Sequence, residues 1–263
     1  MAEVSVKFDA ADDYERFMGG WSRVVGEKFL VWLDPPKGAR WLDVGCGTGA
    51  FTELILKHCA PQSVSAVDPS PQQIAYARQK VAPATFHVGD ALSLPFDDEQ
   101  FDVVASALVF HFLPDRAKAF AEMKRVLRPG GVMAGYTWQR SEKIERAPYT
   151  PMMSGVQHVG GEAKGSPIVP EAMPDGLRAS FDAAGYQAIA TTSIEASKSF
   201  PDFADYWAAQ TLPFSPPGQA VARLDEQQRA RLRAHLLATL PTASDGSITY
   251  SACATAGKAR RPA

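Results

Sequence analysis

Three glycines at alternate positions, Gly45, Gly47 and Gly49, follow directly on a short apolar run in the stretch 41–49, WLDVGCGTG, and a helix-like run begins at Ala50. A strand, a tight turn and a helix in immediate succession leave few folds open. Glycine adopts positive φ cheaply and, without a Cβ, lets a ligand approach the backbone closely. The N–H groups at the start of the following helix have no partner inside it and face an anion or polar ligand. The spacing narrows the chemistry. A dinucleotide fingerprint reads GxGxxG, whereas this turn reads GxGxG with Asp43 two residues ahead of the first glycine; a phosphate loop needs GxxxxGK[ST], and no Lys follows Gly49.

Around this turn the chain alternates strand and helix. The runs 40–44, 63–68 (SVSAVD), 85–90 (TFHVGD), 101–109 (FDVVASALV) and 132–138 read as strands. The fourth is the most apolar, as expected of a central parallel strand covered on both faces. Residues 50–59 and 116–128 read as helices, the second closed by Pro129-Gly130-Gly131, and Ser70-Pro71 with Gln73 marks a helix start. This order predicts a parallel sheet with right-handed crossovers. Residues 12–34 carry an amphipathic helical stripe preceded by Tyr14, Phe17 and Trp21 around a Gly-Gly joint. From 139 to 173 periodicity is lost and Gly, Pro, Ser and Met accumulate, which marks a functional or mobile insert at the fifth strand's carboxyl end. Residues 174–185 read as a further helix, 186–196 as a strand, 200–212 and 224–240 as helices, and 246–256 as a closing β run, the antiparallel partner at the sheet's edge.

Acids follow at positions that suit a nucleoside. Asp68 stands about 20 residues beyond Gly49, the offset at which a carboxylate accepts from both hydroxyls of a ribose. A helix N-cap is the bland alternative, and Ser70 already supplies one. Ligands in open α/β sheets sit outside the strands' carboxyl ends, which places Ser106, Ala107, Leu108 and His111 near the reacting groups. His111 is a candidate general base, and between Phe110 and Phe112 it also suits a packing role.

With these residues in view, the sequence resembles the class I S-adenosylmethionine-dependent methyltransferases, in particular the bacterial small-molecule branch (type 11) that includes the quinone-biosynthesis enzymes. The phrase EMKRVLRPGG, 122–131, resembles the family's helix-to-strand corner. The resemblance implies a Rossmann-like fold of α/β class: a seven-stranded, mostly parallel sheet with helices on both faces, an antiparallel edge strand and a helical or irregular cap. It implies one domain over 1–263, with a helical lid at 1–36, a cofactor-binding core at 37–138, acceptor-binding cap segments at 139–173 and 200–241, and the rest of the sheet at 174–199 and 242–257. It implies S-adenosyl-L-methionine as cofactor and S-adenosyl-L-homocysteine as product. Asp43, Gly45, Cys46, Gly47, Thr48 and Gly49 then hold the methionine portion, Asp68 the ribose, and Asp90 and Ala91 the adenine; Pro69, Gln73 and Leu92 are further cofactor-binding candidates. Ser106, Ala107 and Leu108 border the transfer point, and Tyr14, Phe17 and Trp21 are candidate lid residues over the pocket.

Composition bounds the partners. The 263 residues are 46% hydrophobic, enough for a substantial core, and 27 Lys+Arg against 29 Asp+Glu give a net charge of -2. That balance offers no electrostatic reason to expect nucleic acid or an anionic membrane. Three cysteines, Cys46, Cys59 and Cys253, without a CxxC pair, suggest a reducing cytosol and no metal site. No apolar run approaches the roughly 20 residues of a membrane span, and the first residues carry no signal-peptide pattern, so the expectation is a cytoplasmic monomer or homodimer acting on a small molecule. Met152, Met153 and Met173 in the insert, with Phe203, Tyr206, Trp207 and Phe214, favour an apolar or aromatic acceptor. Three rivals stay open: a nicotinamide-dependent oxidoreductase, a cofactor-binding interaction module, and a cofactor-assisted rearrangement without methyl transfer.

Overall fold

The computed structural model describes residues 18–163, 167–213 and 215–263. Tyr14, Phe17 and Phe214, three of the aromatics singled out from the sequence, lie outside them. Seven strands, β1 (Arg40–Val44), β2 (Ser63–Asp68), β3 (Thr85–Val88), β4 (Phe101–Ala107), β5 (Leu127–Trp138), β6 (Gln187–Phe200) and β7 (Ile248–Arg260), form one sheet in the order β3-β2-β1-β4-β5-β7-β6. The first five are parallel throughout. β7 runs antiparallel to both β5 and the outermost strand β6, so the antiparallel edge is a pair of strands. Strand order reverses between β1 and β4, and the crevice above a reversal point is where open α/β sheets bind ligands.

Alternate strand residues feed opposite cores. Trp41 joins Trp21, Val25, Phe29, Phe51 and Tyr136 on one face, while Leu42 and Val44 join Phe110, Phe120, Met123 and Phe181 on the other. The first face is covered by α1 (Gly20–Leu33) and α2 (Ala50–His58), and α3 (Pro71–Lys80) adds its own cluster through Ile74 and Ala77. The second face is covered by α4 (Arg116–Val126) and, past β5, by α6 (Pro174–Ala183). As the sequence suggests, Ser70 caps α3 by accepting from the Gln73 N–H, with Pro71 at the first helical position.

β5 stays paired with β7 only as far as Trp138↔Ala254, whereas β6 and β7 continue together to Phe200↔Ile248. This two-stranded arm projects beyond the carboxyl end of β5. α5 (Thr150–His158), α7 (Phe203–Gln210), α8 (Pro216–Ala222) and α9 (Glu226–Thr239) bury Met152, Tyr206, Val221, Leu232 and Leu236 in the cluster that holds the arm's Phe200, Ile248 and Ala252. The aperiodic stretch 139–173 thus contains a helix. Its Gly155 reads as a breaker in sequence, yet a Cβ there would meet Leu232 Cδ1 at 2.7 Å, so the residue is small because α5 lies hard against α9. The aromatics of α7 serve packing: Tyr206 is fully buried, and Phe203 and Trp207 lie under the Arg233 guanidinium. No described helix is long and apolar enough to cross a membrane.

Candidate active site

The chain leaves β1 through the glycine turn with all three glycines in the left-handed region, at φ 76°, 54° and 87° for Gly45, Gly47 and Gly49. The Gly45 and Cys46 N–H groups both donate to the Val67 carbonyl, at 2.8 and 3.1 Å, which fastens the turn to β2. A Cβ on Gly45 would lie 2.4 Å from Val109 Cγ2, so this position admits no side chain while β4's outlet stays in place. Gly49 is the N-cap of α2 and offers no side-chain cap, leaving the first N–H groups of that helix without a protein acceptor from the cap.

Two carboxylates are drawn out of water beside this turn. Asp43 is fully buried; its Oδ2 accepts from Thr52 Oγ1 at 2.7 Å, and its Oδ1 has no partner. Burial pushes its pKa up to about 7, the Thr52 hydrogen bond opposing and the Asp68 charge adding to the shift. Asp68 accepts from the Gly47 N–H at 3.0 Å through Oδ2 and from the Ser70 N–H at 2.9 Å through Oδ1. Burial raises its pKa as well, and those two backbone hydrogen bonds hold the rise back. Each of its oxygens retains a lone pair for a hydroxyl. Asp90 is exposed and takes the Leu92 N–H at 2.9 Å on Oδ1 only. Burial and the two neighbouring acids keep the Cys46 thiol protonated, which removes it as a nucleophile.

These groups border one cleft of about 440 Å³. Gly45, Cys46, Gly47 and Thr48 line it from the turn; Asp68, Pro69 and Gln73 from the end of β2; Asp90 and Ala91 from the end of β3; Ala107 and Leu108 from the end of β4. Leu108 holds a positive φ of 62° with its N–H bonded to the Tyr136 carbonyl at 2.7 Å, a strained conformation fixed at the cleft wall.

Other expected residues fall elsewhere. Trp21 is no lid: it is fully buried, edge-on to Trp138 at 6.5 Å and against Tyr250 at 5.1 Å, because the core beneath the arm needs its bulk. Ser106 is buried under the cleft and ties β4 to β1 by donating to the Val44 carbonyl at 3.0 Å. Asp43 and Gly49 lie behind the lining, and the Leu92 N–H is spent on Asp90. His111 is turned away from the cleft: its Nδ1 lies 3.2 Å from Thr137 Oγ1, and it borders a small separate cavity with Arg140 and Tyr149. Burial, then the Arg140 charge, lowers its pKa to about 4. A neutral ring of that basicity, pointing elsewhere, corrects the expectation of a general base. The insert 139–173 reaches this second cavity, whereas the large cleft is lined by residues between Ser22 and Tyr136.

Sequence reasoning missed Ser22, Phe51, Phe112 and Tyr136 on the cleft wall. Phe51 and Tyr136 carry only the ordinary signature of core aromatics, while the half-exposed Phe112, next to His111, was discernible as an aromatic just past the central strand.

Comparison with known proteins agrees with this geometry. Residues 42–135 match the family described as a methyltransferase domain. The chain is 34% identical over 149 residues to a malonyl-[acyl-carrier protein] O-methyltransferase of Pectobacterium atrosepticum, covering 52% of this chain and 58% of that protein. It is 36% identical over 110 residues to a 2-methyl-6-phytyl-1,4-hydroquinone methyltransferase of Synechocystis, covering 41% and 34% of the two chains. It thus spans only part of the length of these curated relatives. An N-methyltransferase of Haemonchus contortus, solved with phosphomonomethylethanolamine and S-adenosylhomocysteine, shares the fold at a TM-score of 0.58 with 19% identity, over 98% of this chain and 58% of that one. The match to the methyltransferase-domain family thus covers residues 42–135, which carry the glycine turn, Asp68 and Asp90.

Proposed function

We propose that the protein transfers a methyl group from S-adenosyl-L-methionine to an O, N or C atom of a small apolar or aromatic metabolite. The observation that carries this reading is the gathering, at one reversal point of the sheet, of the glycine turn and of Asp68 and Asp90, both with oxygens still able to accept. The donor set fits the cofactor: Asp68 suits a ribose diol, Asp90 with the Ala91 N–H suits an amino-purine edge, and the orphaned Asp43 Oδ1 suits an ammonium group. When bound, the sulfonium supplies an activated methyl and departs as a neutral thioether. The protein's own task is to align the acceptor and exclude water. Leu108, Val109, Phe112 and Leu113 make the wall nearest the end of β4 apolar, which supports an apolar acceptor. The hydroquinone named for the Synechocystis relative points the same way. In this reading the segments 139–173 and 200–241 act as the acceptor-binding cap, Arg140, Tyr149 and Val169 bordering the small cavity at His111.

The test incubates the protein with the labelled donor and a panel of phenols, quinols, amines and fatty acids, and follows a mass gain of one methyl. Transfer to a panel member supports the reading, and activity confined to RNA or protein refutes it. Calorimetry against S-adenosylhomocysteine and NAD separates this reading from an oxidoreductase. Binding of the former with no transfer to any acceptor would leave an interaction module.

A further inference from the structure

We propose that Arg116 and Glu171 are positioning residues for the methyl acceptor, their ion pair setting the place of the cleft wall at Phe112 and Leu113; this rests on the methyl-transfer reading above. Glu171 belongs to the turn Pro170–Ala172, near the end of the insert 139–173. Its side chain is 4% exposed, a burial that a carboxylate tolerates only when paired. Its Oε1 accepts from Ser180 Oγ on α6 at 2.7 Å. Its Oε2 lies 3.1 Å from Nε of Arg116, the first residue of α4, a charge contact in which the N–H is not aimed at the oxygen. The same guanidinium donates through Nη1 to the Leu113 carbonyl at 3.1 Å. Leu113 and its neighbours Phe112 and Pro114 line the large cleft. One arginine thus joins the end of the insert to the wall beyond β4.

Both ends of this link are held from behind. A Cβ on Gly176 would collide with the Pro170 carbonyl, so the turn 170–172 is set hard against the start of α6. The fully buried Thr255 of β7 donates to the Ala172 carbonyl at 2.8 Å. At the other end, the turn Phe110–Phe112 is anchored by buried Phe110 and by His111, whose Nδ1 lies 3.2 Å from Thr137 Oγ1. Its exit is looser, since the Leu113 N–H reaches the Phe110 carbonyl at 3.4 Å, and there Arg116 attaches. Val169 and Ala172 border the small cavity with His111, so the end of the insert meets this turn on its other side too. A buried ion pair is a poor source of stability, because apolar groups of the same shape often serve as well or better. What it supplies is one geometry, since a planar guanidinium fixes the positions of its partners. Methyl transfer depends on the placement of the acceptor to a fraction of an ångström, and the apolar wall that would place it is the one Arg116 holds. The polar anchors of the glycine turn and of Asp68 run elsewhere, among the turn, Val67 and Ser70, so the pair bears on the acceptor and not on the nucleotide.

The experiment uses the wild type, Arg116→Met, Glu171→Gln and the double variant. It measures the thermal midpoint, the Kd of S-adenosylhomocysteine, and KM for whichever phenol, quinol, amine or fatty acid the wild type methylates fastest. Arg116→Met strands the Glu171 charge and lowers the midpoint, and the double variant, which removes both charges, regains most of it. KM for the acceptor rises about fivefold or more in each single variant and stays raised by a similar factor in the double, because partners in one unit do not add. The Kd of S-adenosylhomocysteine stays within about twofold of wild type, as for sites without shared partners. Hydrogen exchange of the 112–113 amides quickens in all three variants, while that of the turn 45–49 does not. A KM that returns to the wild-type value as the midpoint recovers, a KM unchanged in every variant, or a Kd that weakens in step with KM overturns the proposal and leaves methyl transfer standing. A wild type that methylates no member of the panel overturns the parent reading, and this one with it.

Discussion

If the unmatched Asp43 Oδ1 meets the ligand's ammonium, binding must expel a proton from the protein. With burial holding the free carboxyl near a pKa of about 7, roughly nine in ten molecules carry the proton at pH 6 and about half at pH 7. A bound ammonium stabilises the ionised form, so the pKa falls on binding and affinity rises with pH through the free value. The linkage factor is the ratio of (1 + 10^(pKa − pH)) at the two pH values, which predicts about fivefold tighter binding of S-adenosylhomocysteine at pH 7 than at pH 6, about 1 kcal/mol. The ligand's own amino group stays mostly charged over this interval and adds little. His111, with its pKa lowered to about 4, is neutral throughout and does not contribute. Burial raises the pKa of Asp68 as well, so Asp43→Asn is needed to isolate the Asp43 share. Calorimetry at pH 6 in two buffers of different ionisation enthalpy should show release of about 0.9 proton by the wild type and markedly less by Asp43→Asn, which should also bind more weakly with a flatter pH profile. Equal affinity at both pH values with no proton released would refute the placement of the ammonium at Asp43.

Two further substitutions probe the same cleft. Asp68→Ala removes the acceptor for the ribose hydroxyls and for the Gly47 and Ser70 N–H groups, and should weaken S-adenosylhomocysteine binding by roughly 1 to 3 kcal/mol; an unchanged dissociation constant would exclude the ribose role. Gly45→Ala forces a Cβ to within 2.4 Å of Val109 Cγ2 at a left-handed φ, and should destabilise the fold by about 2 to 4 kcal/mol in chemical denaturation. Adding Val109→Ala should recover the part due to the collision and leave the backbone part.

The glycine turn, Asp68 and the alternation of strands and helices were readable because their causes are local. Positive φ demands glycine within one residue, and a strand buried on both faces declares itself in a predominantly apolar run such as 101–107. Asp90 and Ala91 were placed by resemblance alone, since an acid after a strand has no unique local signature, and the structure sets both on the cleft wall.

What the chain determined by itself, then, is the βαβ order, the three-glycine turn and the acid that follows it, all consequences of backbone sterics and of hydrophobic period acting over a few residues. Tertiary structure alone decided that Trp21 fills a core and its neighbour Ser22 meets the cleft, that His111 turns to Thr137, and that a β6–β7 arm carries four helices past the end of β5. Those outcomes depend on which surfaces meet across residues distant in sequence. Which side of α1 faces the sheet, and how closely Gly155 admits α9, is settled by the side chains of the opposing element.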